Sequence, residues 1–311
     1  MIIPPRIGRS GSIGIVAPGS PVRKDVLSKG VEYIKNRGYN VIHGAYVFED
    51  SGYLAGNDTE RCTDIQDMLR DPHISMIMCA RGGYGSGRLL DKIDFSLFRN
   101  NPKILVGHSD ATVLQWAVFR KTGIVTFSGP MTAPDFGGAT VNSDAEQHFW
   151  KLVTGDETAL DLSGHSKGDL IELYPGKARG TILCGCLSVI VGLLGTDYCP
   201  GFDNVILVLE DIGEEPYRID RMITTLKLHG IFEKISGLVL GQFVNCTGSD
   251  ENSGKISVEN IVSPVVREYR IPSVMNLSYG HIPEKITIPV GAEGVLDTSS
   301  GIFRIPGKVV Q

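Results

Sequence analysis

Three side chains that stand far apart in the sequence have the residue types of a hydrolytic site. Ser109 is a candidate nucleophile, Glu210 a candidate orienting acid and His281 a candidate general base, and they follow one another in that order. The same order occurs in a known class of hydrolases, in which the histidine takes the serine proton and the acid holds the histidine. Each residue also has a plainer interpretation, which depends on the element that positions it.

Ser109 lies in the stretch KILVGHSDATVLQWAVFRKT, from Lys103 to Thr122. The apolar run Ile104 to Val106 predicts a strand, and apolar residues at spacings of three and four after the serine predict a helix. A serine on a tight turn between a strand and a helix has the geometry of a nucleophile elbow, where the helix N-terminus favours developing negative charge. The G-x-S-x-G pattern would have glycine at 111, where this chain has alanine, so a simple helix N-cap is the alternative.

Glu210 follows the apolar run Val205 to Leu209, which predicts a strand. A carboxylate at the edge of a sheet can orient an imidazole, but a solvated acidic rim beside a helix is the alternative. Three nearby acids compete for the same role: Asp211, Glu214 and Glu215. His281 lies in the irregular loop SYGHIP, where a general base can be positioned, although a loop histidine bonded to backbone is the plainer interpretation.

The segment Arg81 to Gly87, RGGYGSG, is called the glycine loop here and directly follows a predicted strand, Ile74 to Ala80. Its backbone amides could bind phosphate, or supply an N–H group to an oxyanion hole, which needs a donor with no side chain in the way. The loop is neither a dinucleotide-binding G-x-G-x-x-G nor a P-loop with G-K-[ST], which weakens a nucleotide role. A tight turn before a helix is the structural alternative.

The elements around these residues alternate between strands and helices through the first half of the chain. Apolar runs without period-two alternation predict an α/β fold with a mostly parallel sheet flanked by helices. Ligands bind such sheets beyond the carboxyl ends of the strands, where the glycine loop and Ser109 both fall. The later alternation is weaker and predicts a smaller C-terminal α+β domain. We expect an N-terminal domain at 1–155, a linker at 156–178 and a C-terminal domain at 179–311.

Composition excludes several other classes of protein. The 311 residues are 42% hydrophobic and 21% charged, which is typical of a globular protein of about two domains. A net charge of −5 without a long basic block argues against nucleic-acid and anionic-membrane partners. We expect no signal peptide and no membrane span. The six cysteines are dispersed, and the close pair Cys184 and Cys186 lacks further zinc ligands, so we expect reduced thiols, a cytoplasmic location and no metal.

Five separated motifs resemble those of the LD-carboxypeptidase family, a family of serine peptidases that includes the microcin C7 immunity hydrolases. The resemblance covers nearly the whole chain. The motifs are RGGYG at Arg81 to Gly85, VGHSDAT at Val106 to Thr112, KTGIVTFSGP at Lys121 to Pro130, LEDIGEEPYRIDRM at Leu209 to Met222, and GHIPEKITIPVG at Gly280 to Gly291.

This resemblance implies a catalytic triad of Ser109, Glu210 and His281, with oxyanion donors from the backbone of Gly83 and Asp110. It implies an active site in a cleft between an N-terminal domain with the serine and a smaller C-terminal domain with the acid and the histidine. The implied reaction needs no cofactor or metal. It releases terminal D-alanine from a diamino acid, meso-diaminopimelate, of murein tetrapeptides during peptidoglycan recycling. Family members are often homodimers.

At two positions this chain differs from the usual pattern of the family. Family members usually have tyrosine at the position of His108, whose side chain we expect to point away from that of its neighbour Ser109. They usually have asparagine at the position of Cys186.

Arg81 is a candidate for binding the D-alanine carboxylate, although it could equally hold the glycine loop in place. An immunity-type hydrolase of aminoacyl-nucleotide conjugates and a catalytically silent wall-peptide binding protein are the alternative functions, and the intact serine, glutamate and histidine argue against the second.

Overall fold

The computed structural model of the protein describes residues 1–156, 159–165, 168–248 and 256–311. In these ranges the chain forms fourteen strands and eight α-helices. The strands are β1 (Ser12–Val16), β2 (Asn40–His43), β3 (Ile74–Cys79), β4 (Ile104–Gly107), β5 (Thr126–Ser128), β6 (Leu160–Asp161), β7 (Ile171–Tyr174), β8 (Lys177–Cys186), β9 (Val205–Ile212), β10 (Gly237–Val244), β11 (Ser273–Met275), β12 (Ile288–Val290), β13 (Glu293–Asp297) and β14 (Ile302–Ile305).

The helices are α1 (Lys24–Asn36), α2 (Asp58–Arg70), α3 (Phe95–Asn100), α4 (Ala111–Thr122), α5 (Ser143–Thr154), α6 (Leu187–Val191), α7 (Pro216–Leu228) and α8 (Val258–Tyr269). Three shorter helical turns accompany them: Ser86–Leu89, Thr132–Phe136 and Ser163–His165. Among the described residues, none of the helices combines the length and the apolar character that crossing a bilayer requires.

The first sheet has six strands in the order β12-β5-β4-β3-β1-β2. Strands β1 to β5 run parallel to one another, and β12 pairs antiparallel with β5. Except for the edge strand β2, these strands are almost wholly buried. Their apolar runs lack alternation because helices cover both faces of a parallel sheet.

The second sheet has eight strands in the order β6-β14-β13-β8-β9-β10-β11-β7. Strands β8 to β11 are parallel, and the outer strands are antiparallel, which explains the weaker alternation at the end of the sequence. The segment predicted to be a linker, 156–178, supplies β6, β7 and the start of β8, so its described residues are hydrogen-bonded into this sheet. The sequence did not indicate β6 and β7 because they have only two and four residues and lie in a stretch that is polar overall.

Helix α4 joins the two sheets. The indole Nε1 of Trp116 donates a hydrogen bond of 2.9 Å to the carbonyl oxygen of Cys184 in β8. A Cβ on Gly185 would lie 2.2 Å from Cγ2 of Thr112, so this close approach of strand and helix requires glycine. Strand β9, which carries Glu210, is the neighbour of β8. The helix that begins beside Ser109 is therefore packed directly against the part of the second sheet that holds the candidate acid.

Several local predictions differ from the structure. Helix α3 was not predicted, because six residues are too few to show a helical period. Strand β12 lies within the predicted C-terminal domain, 179–311, but belongs to the first sheet. Sequence spacing cannot show which sheet a short strand joins.

Candidate active site

Ser109 sits on a strained turn between β4 and α4. Its φ angle is +62°, in the left-handed region that residues other than glycine rarely adopt. The N-cap of α4 is Asp110, so the interpretation of Ser109 as a simple helix cap is wrong. The side-chain amide of Gln115 donates to the carbonyl of Gly107 at 3.0 Å and holds the end of β4 against the helix. Strain at an ordered, over-determined turn is typical of nucleophile elbows.

Glu210 and His281 are in direct contact. The distance from His281 Nδ1 to Glu210 Oε2 is 2.8 Å, and the Glu210 side chain is fully buried. Burial raises the pKa of Glu210, and the hydrogen bond from His281 partly offsets this shift. Gly280, with a φ of +136°, turns the loop so closely past the acid that a Cβ there would lie 3.1 Å from Glu210 Oε2. The acid and the imidazole are thus held at hydrogen-bonding distance by the backbone as well as by each other.

The competing acids have other partners. Asp211 accepts hydrogen bonds from the backbone amides of Ser188 at 2.7 Å and of Ile212 at 2.8 Å. The Oε2 atom of Glu214, just before α7, lies 3.7 Å from Nη1 of Arg218 in the first turn of that helix. Of the acids that the sequence offered, Glu210 is the one whose carboxylate contacts His281.

Ser109 and His281 line one cavity of about 410 Å³, together with the glycine loop. Ser109 follows β4 of the first sheet and His281 follows β11 of the second, so residues from both sheets meet there. Within the described ranges no hydrogen bond joins the two side chains, and catalytic hydrogen bonds often tighten only when substrate is bound. A larger cavity of about 740 Å³ reaches Asp110 from another side, but Ser109, Glu210 and His281 are absent from its lining.

The glycine loop packs against the serine. A Cβ on Gly82 would lie 2.9 Å from Ser109 Cβ, and a Cβ on Gly83, whose φ is +102°, would lie 2.2 Å from Ser20 Oγ. The carboxylate of Asp110 accepts hydrogen bonds from the amide and the hydroxyl of Ser86, at 2.8 and 2.6 Å, which ties the elbow to the loop. The loop therefore approaches the candidate nucleophile with bare backbone, the arrangement that an oxyanion hole needs.

Arg81 lies at the exposed side of the same cavity. Its guanidinium Nη1 donates to the carbonyl oxygen of Pro21 at 3.1 Å, which fixes the side chain beside the glycine loop. Arg23 also lines this cavity and was not indicated by the sequence. It forms an ion pair of 2.6 Å with Asp25.

His108 packs against His281 of the candidate triad. Its side chain was expected to point away from that of Ser109, and its ring lies with its centroid 4.8 Å from that of His281. Its Nε2 atom is 3.7 Å from Oε1 of Glu210, and the side chain is almost fully buried. Burial, His281 and the cation of Lys285 lower the pKa of His108 well below its ordinary value. No local pattern reveals this contact, because its partners lie far along the chain and only the meeting of the two sheets brings them together.

The other departure from the family pattern is also buried beside the site. Cys186 ends β8, and its Sγ atom lies 3.3 Å from Oδ1 of Asp211 and 3.3 Å from Oγ of Ser188. Burial raises the pKa of this thiol strongly, so it is uncharged. In place of an asparagine amide, this chain has a neutral thiol against a carboxylate.

Two blocks of the sequence match the two domains of a known family. Residues 13–129 match the LD-carboxypeptidase N-terminal domain, and residues 179–296 match the LD-carboxypeptidase C-terminal domain. The chain belongs to the LD-carboxypeptidase family. It is 34% identical over 95% of its length to the "Probable murein peptide carboxypeptidase" of Bacillus subtilis, covering 92% of that protein. The predicted family membership is therefore confirmed, and with it a hydrolase of a serine peptidase family.

Solved structures of this family share the fold. A muramoyltetrapeptide carboxypeptidase from Oxalobacter formigenes superposes with a TM-score of 0.84 at 32% identity, covering 94% of this chain and 97% of that one. The microcin C7 self-immunity protein MccF, in complex with aspartyl sulfamoyl adenosine, gives a TM-score of 0.91 at 24% identity and covers all of both chains. These likenesses confirm the predicted two-domain α/β fold.

Proposed function

We propose that this protein is a serine carboxypeptidase that releases terminal D-alanine from murein tetrapeptides by cutting the bond after the L-centre of meso-diaminopimelate. The observation that carries the proposal is the buried Glu210–His281 pair, 2.8 Å apart, in a site shared with a serine on a left-handed elbow. Relatives named as murein carboxypeptidases support the substrate class. The proposal includes a cytoplasmic role in peptidoglycan recycling and a homodimer, for which the family resemblance is the support.

The proposed reaction proceeds through an acyl-enzyme. Ser109 Oγ attacks the scissile carbonyl carbon while His281 Nε2 takes the hydroxyl proton. Glu210 accepts a hydrogen bond from Nδ1–H of the same imidazole, which fixes the tautomer and stabilises the imidazolium. The imidazolium then gives its proton to the amine of D-alanine as the C–N bond breaks. Water, deprotonated by the same histidine, hydrolyses the ester and returns Ser109 to its hydroxyl form.

The developing oxyanion would be held by the backbone amides of Gly83 and Asp110. Both residues flank the nucleophile, one through the glycine loop and one as the next residue in the chain. Because neither donor depends on a side chain, the hole is part of the folded backbone. Removing one such donor costs about 3 to 4 kcal/mol in other hydrolases, which sets the scale of its contribution here.

A carboxypeptidase must also bind the free carboxylate at the substrate's C-terminus. Arg81 is our candidate, because it lines the cavity of Ser109 and is fixed by its contact with Pro21. Arg23 is a second cation on the same cavity, but its charge is paired with Asp25. The guanidinium of Arg81 has further N–H groups that can form a bidentate pair with a carboxylate.

The alternative function is hydrolysis of an aminoacyl-nucleotide conjugate, and the structural likeness to MccF is the observation in its favour. Such a substrate carries a base that aromatic side chains usually stack against. Among the described residues, the lining of the cavity at Ser109 includes no Phe, Tyr or Trp. This favours the peptide substrate. A silent binding protein is disfavoured by the hydrogen-bonded acid and histidine beside the serine.

One experiment separates the three functions. The protein is incubated with murein tetrapeptide and, separately, with an aspartyl-adenylate analogue, and the products are followed by mass spectrometry. We expect D-alanine from the tetrapeptide, no release of an AMP derivative, and loss of at least about 10³-fold activity in Ser109→Ala. Release of neither product would contradict both enzymatic functions, and full activity of Ser109→Ala would contradict the serine mechanism.

A further inference from the structure

Two buried polar atoms beside the catalytic pair have no hydrogen-bond partner in the described part of the chain. They are Nε2 of His108 and Oε1 of Glu210, and they face each other at 3.7 Å. This separation is too long for an N–H···O hydrogen bond, which spans about 2.7 to 3.2 Å. Buried groups of this kind usually have a partner, so the pair calls for a physical explanation.

We propose that His108, Glu210 and His281 bind one Zn²⁺ ion, and that this ion switches the enzyme off by occupying Nδ1 of His281. One ligand atom from each of the three residues lies within 4.8 Å of the others. Two imidazoles and one carboxylate are an established set of zinc ligands. Adjacent ligand atoms around tetrahedral zinc, at bond lengths of about 2.0 to 2.2 Å, lie about 3.3 to 3.5 Å apart. The carboxylate of Glu210 lies at comparable distances from both imidazoles, with Oε2 2.8 Å from Nδ1 of His281 and Oε1 3.7 Å from Nε2 of His108.

The surroundings of His108 suit a metal ligand. Its side chain is buried, and its Nε2 atom has no hydrogen-bond partner among the described residues. Its Nδ1 faces Oγ of Ser128 at 3.4 Å, and that hydroxyl is 2.7 Å from the hydroxyl of Tyr279. With the proton on Nδ1 directed at Ser128, Nε2 presents its lone pair toward Glu210. An outer hydrogen bond of this kind is what orients histidine ligands at metal sites.

The charges around the three side chains and a neighbouring cavity are also compatible with a bound Zn²⁺ ion. Lys285 is the cation that acts on His108, and it is paired with Asp135, which reduces its repulsion of a metal. Both His108 and His281 line a cavity of about 380 Å³ that gives solvent access to the cluster. The side chain of His281 keeps 19% of its surface exposed, so His281 is the side of the cluster from which a water ligand would come.

Binding of the ion and catalysis exclude each other for a simple reason. Zinc on Nδ1 of His281 displaces the proton from that nitrogen, and the neutral imidazole then carries its single proton on Nε2. This is the nitrogen that must accept the proton of Ser109. The count of protons is unchanged, no electrons move, and Glu210 becomes a zinc ligand instead of an acceptor for the imidazole. Only the inhibition rests on the proposed function, because binding itself does not depend on any reaction.

The test measures binding directly. Zn²⁺ is titrated by calorimetry into the full-length protein and into Ser109→Ala, and Co²⁺ is followed by its visible absorption. We expect one ion per chain in both proteins, with a Co²⁺ spectrum of four-coordinate N/O type, and no heat from Mg²⁺, which prefers oxygen ligands. His108→Phe and His108→Gln should bind Zn²⁺ more than about 10-fold more weakly, since even the loss of a residue that only hydrogen-bonds a metal ligand costs about 10- to 100-fold in affinity. The exposed His229→Gln is the matched control and should bind as the parent does.

Far-UV circular dichroism confirms that each variant is folded, and the glutamine variant retains a polar group if the phenylalanine one fails to fold. Equal affinity of the parent and the folded His108 variants would overturn the site, as would the absence of stoichiometric binding by the parent. With tetrapeptide as substrate, activity of the parent should fall along the Zn²⁺ binding curve and return with a chelator. Metal binding that depends on His108 without any peptidase activity would reject the proposed function and leave the metal site intact.

Discussion

Replacing Glu210 with glutamine should lower kcat by about 10⁴-fold while changing the stability of the fold only slightly. The carboxylate accepts a hydrogen bond from Nδ1–H of His281, with 2.8 Å between Nδ1 and Oε2, and so selects the tautomer with a free lone pair on Nε2. A glutamine amide can present its N–H₂ group to Nδ1 instead, which stabilises the opposite tautomer. The base then carries its proton on the nitrogen that faces the serine.

The surroundings of Glu210 set the expected size of the loss in kcat and of the change in unfolding free energy. Loss of the orienting acid in a serine hydrolase lowers kcat by about 10⁴-fold, or about 5.5 kcal/mol in the barrier. Stability should change in a different way. The Glu210 side chain is fully buried and its pKa is raised by desolvation, so its charge opposes folding at neutral pH. A neutral isostere removes that cost, and we expect the free energy of unfolding to fall by no more than about 1 kcal/mol.

The matched control is Asp211→Asn, one residue further along β9. Asp211 accepts backbone hydrogen bonds from Ser188 and Ile212, and an asparagine oxygen can keep part of them. We expect its kcat to stay within about 10-fold of the parent, while its unfolding free energy falls by about 1 to 3 kcal/mol. Glu210→Gln should therefore lose activity but little stability, whereas Asp211→Asn should lose stability but little activity.

The assay is steady-state release of D-alanine from murein tetrapeptide, with urea unfolding followed by circular dichroism on the same preparations. The reasoning is refuted if Glu210→Gln retains kcat within about 10-fold of the parent. It is also refuted if Asp211→Asn loses as much activity as Glu210→Gln, because the two carboxylates would then share the role assigned to one.

Three further predictions follow from individual contacts. Gly82→Ala pushes a methyl group to within 2.9 Å of Ser109 Cβ and should lower kcat by about 100-fold in the D-alanine assay, whereas Gly87→Ala, which has open space, should not. Burial raises the pKa of Asp64 from 3.8 to about 6, so its contribution to stability is lost as pH rises from about 4 to about 6. Asp64→Asn should flatten this part of the unfolding profile and raise stability at pH 7 by about 1 to 3 kcal/mol in urea titrations. Trp116→Phe removes the indole hydrogen bond between the sheets and should lower the unfolding free energy by about 1 to 2 kcal/mol, measured the same way.

Each of these has a clear contrary outcome. Equal activity of the two alanine variants would mean that the glycine loop does not need its close approach to the serine. An unchanged profile between pH 4 and 6 in Asp64→Asn would mean that this carboxylate does not titrate differently in the folded state. An unchanged unfolding midpoint in Trp116→Phe would mean that the contact across the sheets does not stabilise the molecule.

Much of the fold was available from local patterns. The apolar runs in the first half of the sequence predicted the parallel strands of the first sheet. Capping residues carry local information of the same kind, as at Asn57, whose side chain accepts a hydrogen bond from the amide of Glu60 at 3.0 Å. The short antiparallel strands at the edges of the second sheet were not predicted, because two to five residues carry too little pattern. Strand β12 shows the same limit, since its partner β5 is chosen by packing and not by its own residues.

For the site, the sequence by itself determined which side chains could act and in what order: a serine on a strand-to-helix turn, an acid after a buried strand and a loop histidine. Residue type and local periodicity carry that information. Only the tertiary structure decided that Glu210, and not Asp211, meets His281, and that His108 turns toward them. These outcomes depend on how closely α4 packs on β8, where Gly185 admits Thr112. Contacts between distant segments arise from the packing of whole sheets, which no window of neighbouring residues contains.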